Sequence, residues 1–371
     1  MEISLFKVFM SKETPVAVSE ILNSGFIGQG QKVDEFENKL SQYFNHPYVN
    51  TVNSCTSAIH LALRLIKDTH PEKDEVITIP FTCTATNTPI LANGLKIVWA
   101  DTDPMTCNID LIDLEKKINE KTLAIIIVHW AGYPVDLDAL SIIQSNAEKK
   151  YGYKPPVIED CAHAFGSEYK GEKVGKRNFG AFSFGPIKHL TTGDGGALIC
   201  PEKEMHEKAK LLRWYGLDRT SSKDFRCEQN ISNCGYKFHM NDINATIGLQ
   251  NFSEIEKIIH KHKYNNHYLR DHLKTIKDLT LLENKDDRSS ASWIFTILVE
   301  RKTDFIDKMK KKGIAASMVH DRNDKHDCFN QFKTNLPNTD FICEKVVSIP
   351  CGWWVEKEQL NYIINCIEEG W

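Results

Sequence analysis

The sequence predicts an α/β protein, with a large unit built on a mostly parallel sheet flanked by helices and a smaller α+β unit after it. Three observations carry this reading. Short apolar runs alternate with longer amphipathic stretches through the first two thirds of the chain, the pattern of strands alternating with helices. The pattern changes beyond residue 250. The 371 residues, 41% of them apolar, suffice to bury one large core and a second, smaller one.

The strand candidates in the large unit are residues 48–52, 75–79, 96–100, 124–129, 157–159, 181–184 and 197–200. The longest apolar run, near 123–128, is far too short to span a bilayer and reads as a buried strand. Helices are predicted over 33–44, 57–67, 111–118, 137–150 and 203–212. In such sheets ligands collect at the carboxyl ends of the strands. Residues 255–276 form a long basic amphipathic stretch that reads as a helix linking the two units. Beyond it, 293–299 alternates like a strand, 303–312 reads as a helix with a solvated lysine face, 346–349 as a strand and 359–368 as a closing helix. The division is drawn as 1–250, the large unit, and 251–371, the small one.

Charge and cysteine usage exclude several classes. A net charge of −4 leaves no general basic footprint for nucleic acid. Met1-Glu2 is followed by no basic, then apolar, leader pattern, so neither a signal peptide nor a membrane anchor is expected. Eleven scattered cysteines with no CxxC pair point to free thiols in a reducing cytoplasm, with neither a disulfide framework nor a metal site.

The chemistry centres on Lys188. It follows a predicted strand in Phe182-Ser183-Phe184-Gly185-Pro186-Ile187-Lys188, and a threonine- and glycine-rich run continues to Gly196. An imine-forming lysine must be neutral to attack an aldehyde, and burial or nearby cations lower its pKa. Alone, Lys188 is an ordinary lysine near a turn. Its context changes that. Val157-Ile158-Glu159-Asp160 reads as a strand ending in carboxylates, and such a carboxylate holds a pyridinium nitrogen protonated. Strand neighbours face opposite sides, so Glu159 is expected to point away from Asp160. Asn53-Ser54-Cys55-Thr56-Ser57 lies between a strand and a helix, where free backbone N–H groups bind phosphate.

Together these segments resemble the sugar aminotransferases of the DegT/DnrJ/StrS type over nearly the whole chain. The likeness begins at Ser24-Gly25-Phe26-Ile27-Gly28-Gln29-Gly30 and runs through Ser54–Ala58 and Pro80-Phe81-Thr82. It continues through Glu159-Asp160-Cys161-Ala162-His163-Ala164 and the Lys188 segment to Gly235-Tyr236-Lys237-Phe238-His239-Met240. The resemblance implies a fold type I transaminase dependent on pyridoxal 5′-phosphate, a homodimer with active sites at the subunit interface. It assigns Lys188 as the imine-forming lysine and proton shuttle, Asp160 as the partner of the pyridinium nitrogen and His163 as the group against the cofactor ring. Ser54, Cys55, Thr56, Ser183 and Lys237 take phosphate-binding positions. A family branch with histidine in place of this lysine performs dehydration, so retention of Lys188 argues for amino transfer.

Four positions depart from the common pattern. Cys83 replaces a ring-stacking aromatic residue, Lys237 an asparagine that reaches the partner subunit's cofactor phosphate, His239 an arginine and Cys55 a glycine of the phosphate loop. The resemblance further implies L-glutamate as donor and a GDP-, dTDP- or UDP-linked keto sugar as acceptor. The substrate contacts it suggests are Gly25, Phe26, Arg213, Tyr236 and His320, with Arg219, Arg322 and His326 as further polar candidates. Trp214, Tyr215, Trp353 and Trp354 are candidates for stacking on a base or sugar. Amination at C4 of a 4-keto-6-deoxyhexose is favoured by analogy. The alternatives are C3 amination and a non-catalytic relative that binds the cofactor or sugar nucleotide.

Overall fold

A computed structural model describes residues 2–219 and 228–371. The large unit holds β1 (Val49–Val52), β2 (Glu75–Thr78), β3 (Lys96–Trp99), β4 (Thr122–Val128), β5 (Val157–Asp160), the short β6 (Glu168–Tyr169) and β7 (Glu172–Lys173), β8 (Phe179–Ser183) and β9 (Gly196–Ile199). Its helices are α1 (Thr14–Ser24), α2 (Gln31–Phe44), α3 (Cys55–Thr69), α4 (Thr84–Ala92), α5 (Leu111–Lys117), α6 (Leu137–Tyr151), α7 (Lys203–Leu212) and α8 (Asp242–Phe252).

Seven strands form one sheet in the order β1-β9-β8-β5-β4-β2-β3. Pairings from β8 across to β3 are parallel, and β9 alone runs against its neighbours. All seven residues of β4 are buried, as a strand covered on both faces requires. Alternation then sorts its side chains. Ile125 and Ile127 share a core with Phe36 and Leu40 of α2, while Ala124 and Ile126 share the opposite core with Ile59 and Leu63 of α3. Side-chain caps start several helices: Ser54 for α3, Asp110 for α5, Asp136 for α6 and Asn241 for α8.

The C-terminal part contains α9 (Ile255–Leu273), β10 (Leu279–Leu281), β11 (Arg288–Ser289), β12 (Phe295–Val299), α10 (Lys302–Lys311), α11 (Pro337–Lys345), β13 (Val346–Ile349) and α12 (Lys357–Glu368). β10, β12 and β13 make a three-stranded antiparallel sheet. α9 does feed two cores: Ile255 and Ile259 pack in the first, Leu269 and Leu273 in the C-terminal one. The start of the chain crosses over, with the Ile3 amide donating to Gly313 O at 2.8 Å.

Sequence periodicity misses α1, α4, α8 and α11. α4 carries three threonines and an internal Pro89, all poor helix formers. The strand expected from residue 293 begins two residues later, and the Trp293 amide instead donates to Ala131 O at 3.0 Å, outside the sheet.

Candidate active site

The carboxyl ends of β1, β2, β4, β5 and β8 lead into one cleft, and each contributes a side chain or loop. Asp160 ends β5 and is buried. Its Oδ2 accepts a hydrogen bond from Thr86 Oγ1 at 2.7 Å, and its Oδ1 accepts from the Ala162 amide at 3.0 Å. Glu159 points the other way, as alternation requires. It accepts from Gly175 N and Asn178 Nδ2, each at 2.8 Å, and lies 3.0 Å from His129 Nε2. Val135 N donates to the other ring nitrogen of His129 at 3.1 Å. Cys161 lies close to both groups, but these bonds already occupy them, so the trio ties β4 to β5 as a structural knot.

Lys188 follows β8 through a tight turn in which its amide donates to Gly185 O at 3.1 Å. The side chain as a whole is half-buried, yet enough protein surrounds the ammonium that burial pushes its pKa down to about 8, against the opposing pull of Asp160, Cys55 and Cys83. Its Nζ lies 3.9 Å from the centre of the Trp293 ring. That indole stacks on the buried His163 ring at 3.8 Å and 16° between planes, and its Nε1 donates to Ile187 O at 2.8 Å. Burial, and after it Lys188 and two neighbouring histidines, hold His163 well below the usual histidine range, so it is neutral. Its Nδ1 is enclosed with no hydrogen-bond partner.

His320 comes from the C-terminal part. Its ring lies parallel to His163, 5.6 Å away and 5° between planes, and edge-on to Trp130 at 5.7 Å. Burial, with Lys188 second, takes it down to about 4, and its Nε2 also lacks a partner. Lys188, the Asp160–His163 stretch and the distant His320 therefore meet.

The phosphate-type loop lies alongside. Ser54 Oγ caps α3 by accepting from Ser57 N at 3.1 Å, and the N–H groups of Cys55 and Thr56 open the helix, where no intrahelical acceptor exists. The Cys55 thiol turns inward, 3.4 Å from Ala181 O and 3.8 Å from Asp160 Oδ1. Here β9 passes so close that a Cβ on Gly196 would lie 2.6 Å from Cys55 N, so only glycine fits. Ser183 ends β8 with its hydroxyl accepting from Gly185 N at 3.3 Å. Lys237 lies beside this loop through its backbone, since Asn53 Nδ2 donates to Lys237 O at 3.3 Å, and its side chain is exposed. This donor set suits a phosphorylated pyridine aldehyde: an amine, a carboxylate at a strand end, a flat neutral ring and a capped helix start.

Other expected contacts do not join the cluster. Arg213 is corrected: only 4% exposed, its guanidinium is committed to Glu37 and to Thr51 O and serves the fold. Tyr236 lies apart from the cluster, with its ring stacked on Phe238 at 4.7 Å and its hydroxyl accepting from Arg64 at 3.1 Å. Gly25 ends α1 in a left-handed turn at φ 75°, and Phe26 beside it is 82% exposed. Arg322 is held by Asp324 and Asp340, and His326 is exposed. Arg219 donates to Gln29 O at 2.6 Å. The aromatic walls differ too. Trp214 packs on His239 at 3.6 Å, Trp353 against Phe9 at 5.3 Å, and Trp354 donates to Ser4 O at 3.0 Å. Trp130 and Trp293, both buried, pack against His163 and Trp130 also against His320, and neither carried a sequence signal beyond an aromatic residue at a strand end.

Comparison with known proteins agrees with this geometry. The model of the DegT/DnrJ/EryC1/StrS aminotransferase family matches residues 9–368. The crystal structure of AtS13 from Actinomadura melliaura is similar with a TM-score of 0.97 and 43% identity, covering 100% of this chain and 99% of that one. The UDP-4-amino-4,6-dideoxy-N-acetyl-beta-L-altrosamine transaminase of Helicobacter pylori is 29% identical over 96% of this chain and 95% of its own length. The UDP-4-amino-4-deoxy-L-arabinose--oxoglutarate aminotransferase of Shewanella sediminis is 30% identical over 95% of this chain and 94% of its own. The chain belongs to the DegT/DnrJ/EryC1/StrS aminotransferase family.

Proposed function

We propose that this chain moves an amino group from L-glutamate to C4 of a nucleotide-linked 4-keto-6-deoxyhexose, with Lys188 as the residue that bonds the cofactor. That the chain is an aminotransferase acting on nucleotide sugars follows from its family and relatives. The enzymes of this family depend on pyridoxal 5′-phosphate. The observation that carries the residue assignment is the meeting of a pKa-lowered Lys188 with Asp160 and His163 at the carboxyl edge of the sheet.

Bound pyridoxal phosphate supplies an aldehyde and a ring that takes up the electron pair released at the amino carbon. The protein supplies the rest. With a pKa of about 8, roughly a tenth of Lys188 is neutral at pH 7, against well under a thousandth for an ordinary lysine. The Lys188 Nζ, when free, would carry the proton between the two carbons that exchange the amino group. Asp160, oriented by Thr86 and the Ala162 amide, holds the ring nitrogen protonated. His163, neutral and backed by Trp293, offers a flat face to the ring. Cys83 is half-buried and leaves the opposite face without an aromatic wall of its own. The hydroxyls of Ser54 and Ser183 and the N–H groups of Cys55 and Thr56 receive the phosphate. His320, uncharged, suits a sugar hydroxyl better than a carboxylate.

Gly25, Phe26 and Lys237 fit this reading as contributions to a partner subunit's site. Val16 and Leu22 on α1 and Phe26 and Ile27 after it are exposed apolar side chains, which supports a homodimer formed there. Residues 1–250 then hold the cofactor and 251–371 close the sugar side. No described helix is long and apolar enough to cross a membrane, and the described cysteines are free, which supports a reducing, cytoplasmic setting. The C4 preference is supported by the 4-amino sugars in the names of both transaminase relatives, and the glutamate donor by the oxoglutarate in one of them. The test is a panel of GDP-, dTDP- and UDP-linked 4-keto and 3-keto sugars with L-glutamate, with product mass and amine position determined. A 4-amino product with one 2-oxoglutarate per turnover is expected. A 3-amino product, or a deoxygenated sugar without 2-oxoglutarate, overturns the reading.

A further inference from the structure

Behind the cleft, two distant stretches of chain are joined by buried amides and hydroxyls. Asn323, 1% exposed, lies three residues after His320. Its backbone amide donates to Pro80 O at 2.8 Å, its Nδ2 to Thr82 O at 2.7 Å, and its Oδ1 accepts from Asn87 Nδ2 at 2.8 Å. Asn87 is fixed in turn, with Nδ2 also donating to Ile79 O at 3.1 Å and Oδ1 accepting from Thr78 at 3.1 Å. Phe81 and Arg322 add an antiparallel bridge between the same stretches.

The segment gripped in this way also holds Asp160. Thr86 Oγ1 donates to Asp160 Oδ2 at 2.7 Å and lies 3.1 Å from Thr82 Oγ1. A hydroxyl has one proton, and Thr86 gives its own to the carboxylate, so Thr82 is the donor between the two threonines. Thr82, Thr86, Asn87 and Asn323 are all buried, where each bond has little competition from water. Asparagine alone suits position 323, since it offers a donor to Thr82 O and an acceptor to Asn87 at one end. Aspartate would set a buried charge against that carbonyl, and an apolar residue would leave Thr82 O and Asn87 Nδ2 each short of a partner.

We propose that Asn323 is a positioning residue that locks the loop carrying His320 onto the segment orienting Asp160, so that the sugar side of the cleft and the cofactor carboxylate are held as one body. This rests on the reading of Lys188 and Asp160 as the cofactor's anchors. The predicted sign is a change at the cofactor from a residue separated from it by Thr82, Thr86 and Asp160.

The test uses the full-length chain with Asn323→Ala, the milder Asn323→Ser, Thr86→Val, Thr86→Ser and the Asn323→Ala/Thr86→Val double variant. Cofactor affinity is measured by absorbance titration, and the bound cofactor's absorbance is followed against pH. Thermal unfolding without cofactor measures any purely structural effect. Asn323→Ala is expected to weaken pyridoxal phosphate binding about tenfold, the scale of one or two lost buried hydrogen bonds. It should also shift the absorbance midpoint in the same direction as Thr86→Val. The double variant should be no worse than the larger single effect, and Thr86→Ser should restore wild-type behaviour. If Asn323→Ala does not fold, Asn323→Ser carries the same expectation at smaller size. Wild-type affinity and midpoint in the Asn323 variants, whatever their melting temperatures, overturn the inference, as do additive effects in the double variant. Wild-type protein that takes up no pyridoxal phosphate overturns the functional reading itself and this inference with it.

Discussion

Lys188 and Arg213 are both cations drawn into the protein, and their surroundings are opposite. The Arg213 guanidinium reaches Glu37 and Thr51 O, and Glu37 accepts in addition from the Thr51 amide at 2.7 Å and its hydroxyl at 2.8 Å. Burial alone would raise the Glu37 pKa, but Arg213 and these donors bring it below the ordinary value. Among the described residues the Lys188 ammonium makes no ion pair. It lies over an indole, and the nearby His163 Nδ1 and His320 Nε2 have no partners. The neighbouring carboxylates repeat the contrast. Glu159 is saturated within the fold, whereas Asp160 has one threonine, one amide and the weak Cys55 thiol as donors and keeps capacity for another. Buried polar groups left short of partners cost stability, so a cluster of them marks a place completed by something that binds.

The sharpest way to break this comparison is to remove each cation's chemistry in turn. Lys188→Ala should lower transamination by ~10⁴-fold or more, since it removes both the covalent anchor and the proton carrier. Calorimetry should find its thermal stability undiminished. Loss of stability with activity retained would place Lys188 with Arg213. Glu37→Gln should do the reverse. It strands a buried guanidinium, at a cost of about 3–5 kcal/mol measured by urea unfolding. Turnover of the folded fraction should stay within about twofold, as expected of a change outside the cleft.

Smaller effects sharpen the picture. In cofactor-free protein, modification of Lys188 by an amine reagent should reach half its maximal rate near pH 8, not near the 10.5 of an ordinary lysine. Trp293→Leu opens the wall over Nζ and should move that midpoint upward, because burial is the main cause of the depression. The stability consequence has a definite sign. Below about pH 8 folding must carry the full cost of enclosing the protonated amine. Between there and 10.5 the unfolded chain binds more protons than the folded one, so stability rises with pH through this window. Lys188→Met should flatten that rise, measured as the difference in unfolding free energy between wild type and variant across the window.

Much of this was legible in the sequence, for definite reasons. β4 is a near-continuous apolar run, as burial on both faces requires, and β2 and β5 beside it carry short apolar stretches of strand length. Lys188, Asp160 and the Ser54 loop sit at strand ends, where local pattern suffices to place a residue at the carboxyl edge of the sheet. His320 came from a loop that family likeness alone could suggest, and the structure sets it beside His163. What failed depended on partners distant in sequence. Arg213 reads as a free cation until Glu37, 176 residues away, is seen to hold it. Trp293 reads as a strand residue until its ring is seen stacked on His163, distant in sequence. α4 is composed against helix formation and is held by tertiary contacts, among them the bonds Asn87 makes to Asn323 and Ile79.

The central claim is that Lys188 is the residue that bonds the cofactor. Its most direct test is to load the protein with pyridoxal phosphate, reduce it with borohydride, digest it and locate the pyridoxyl group by mass spectrometry. The account predicts one modified lysine, Lys188, and no modification when glutamate has first converted the cofactor to its amine form. A pyridoxyl group on any other lysine, or none at all, would contradict it.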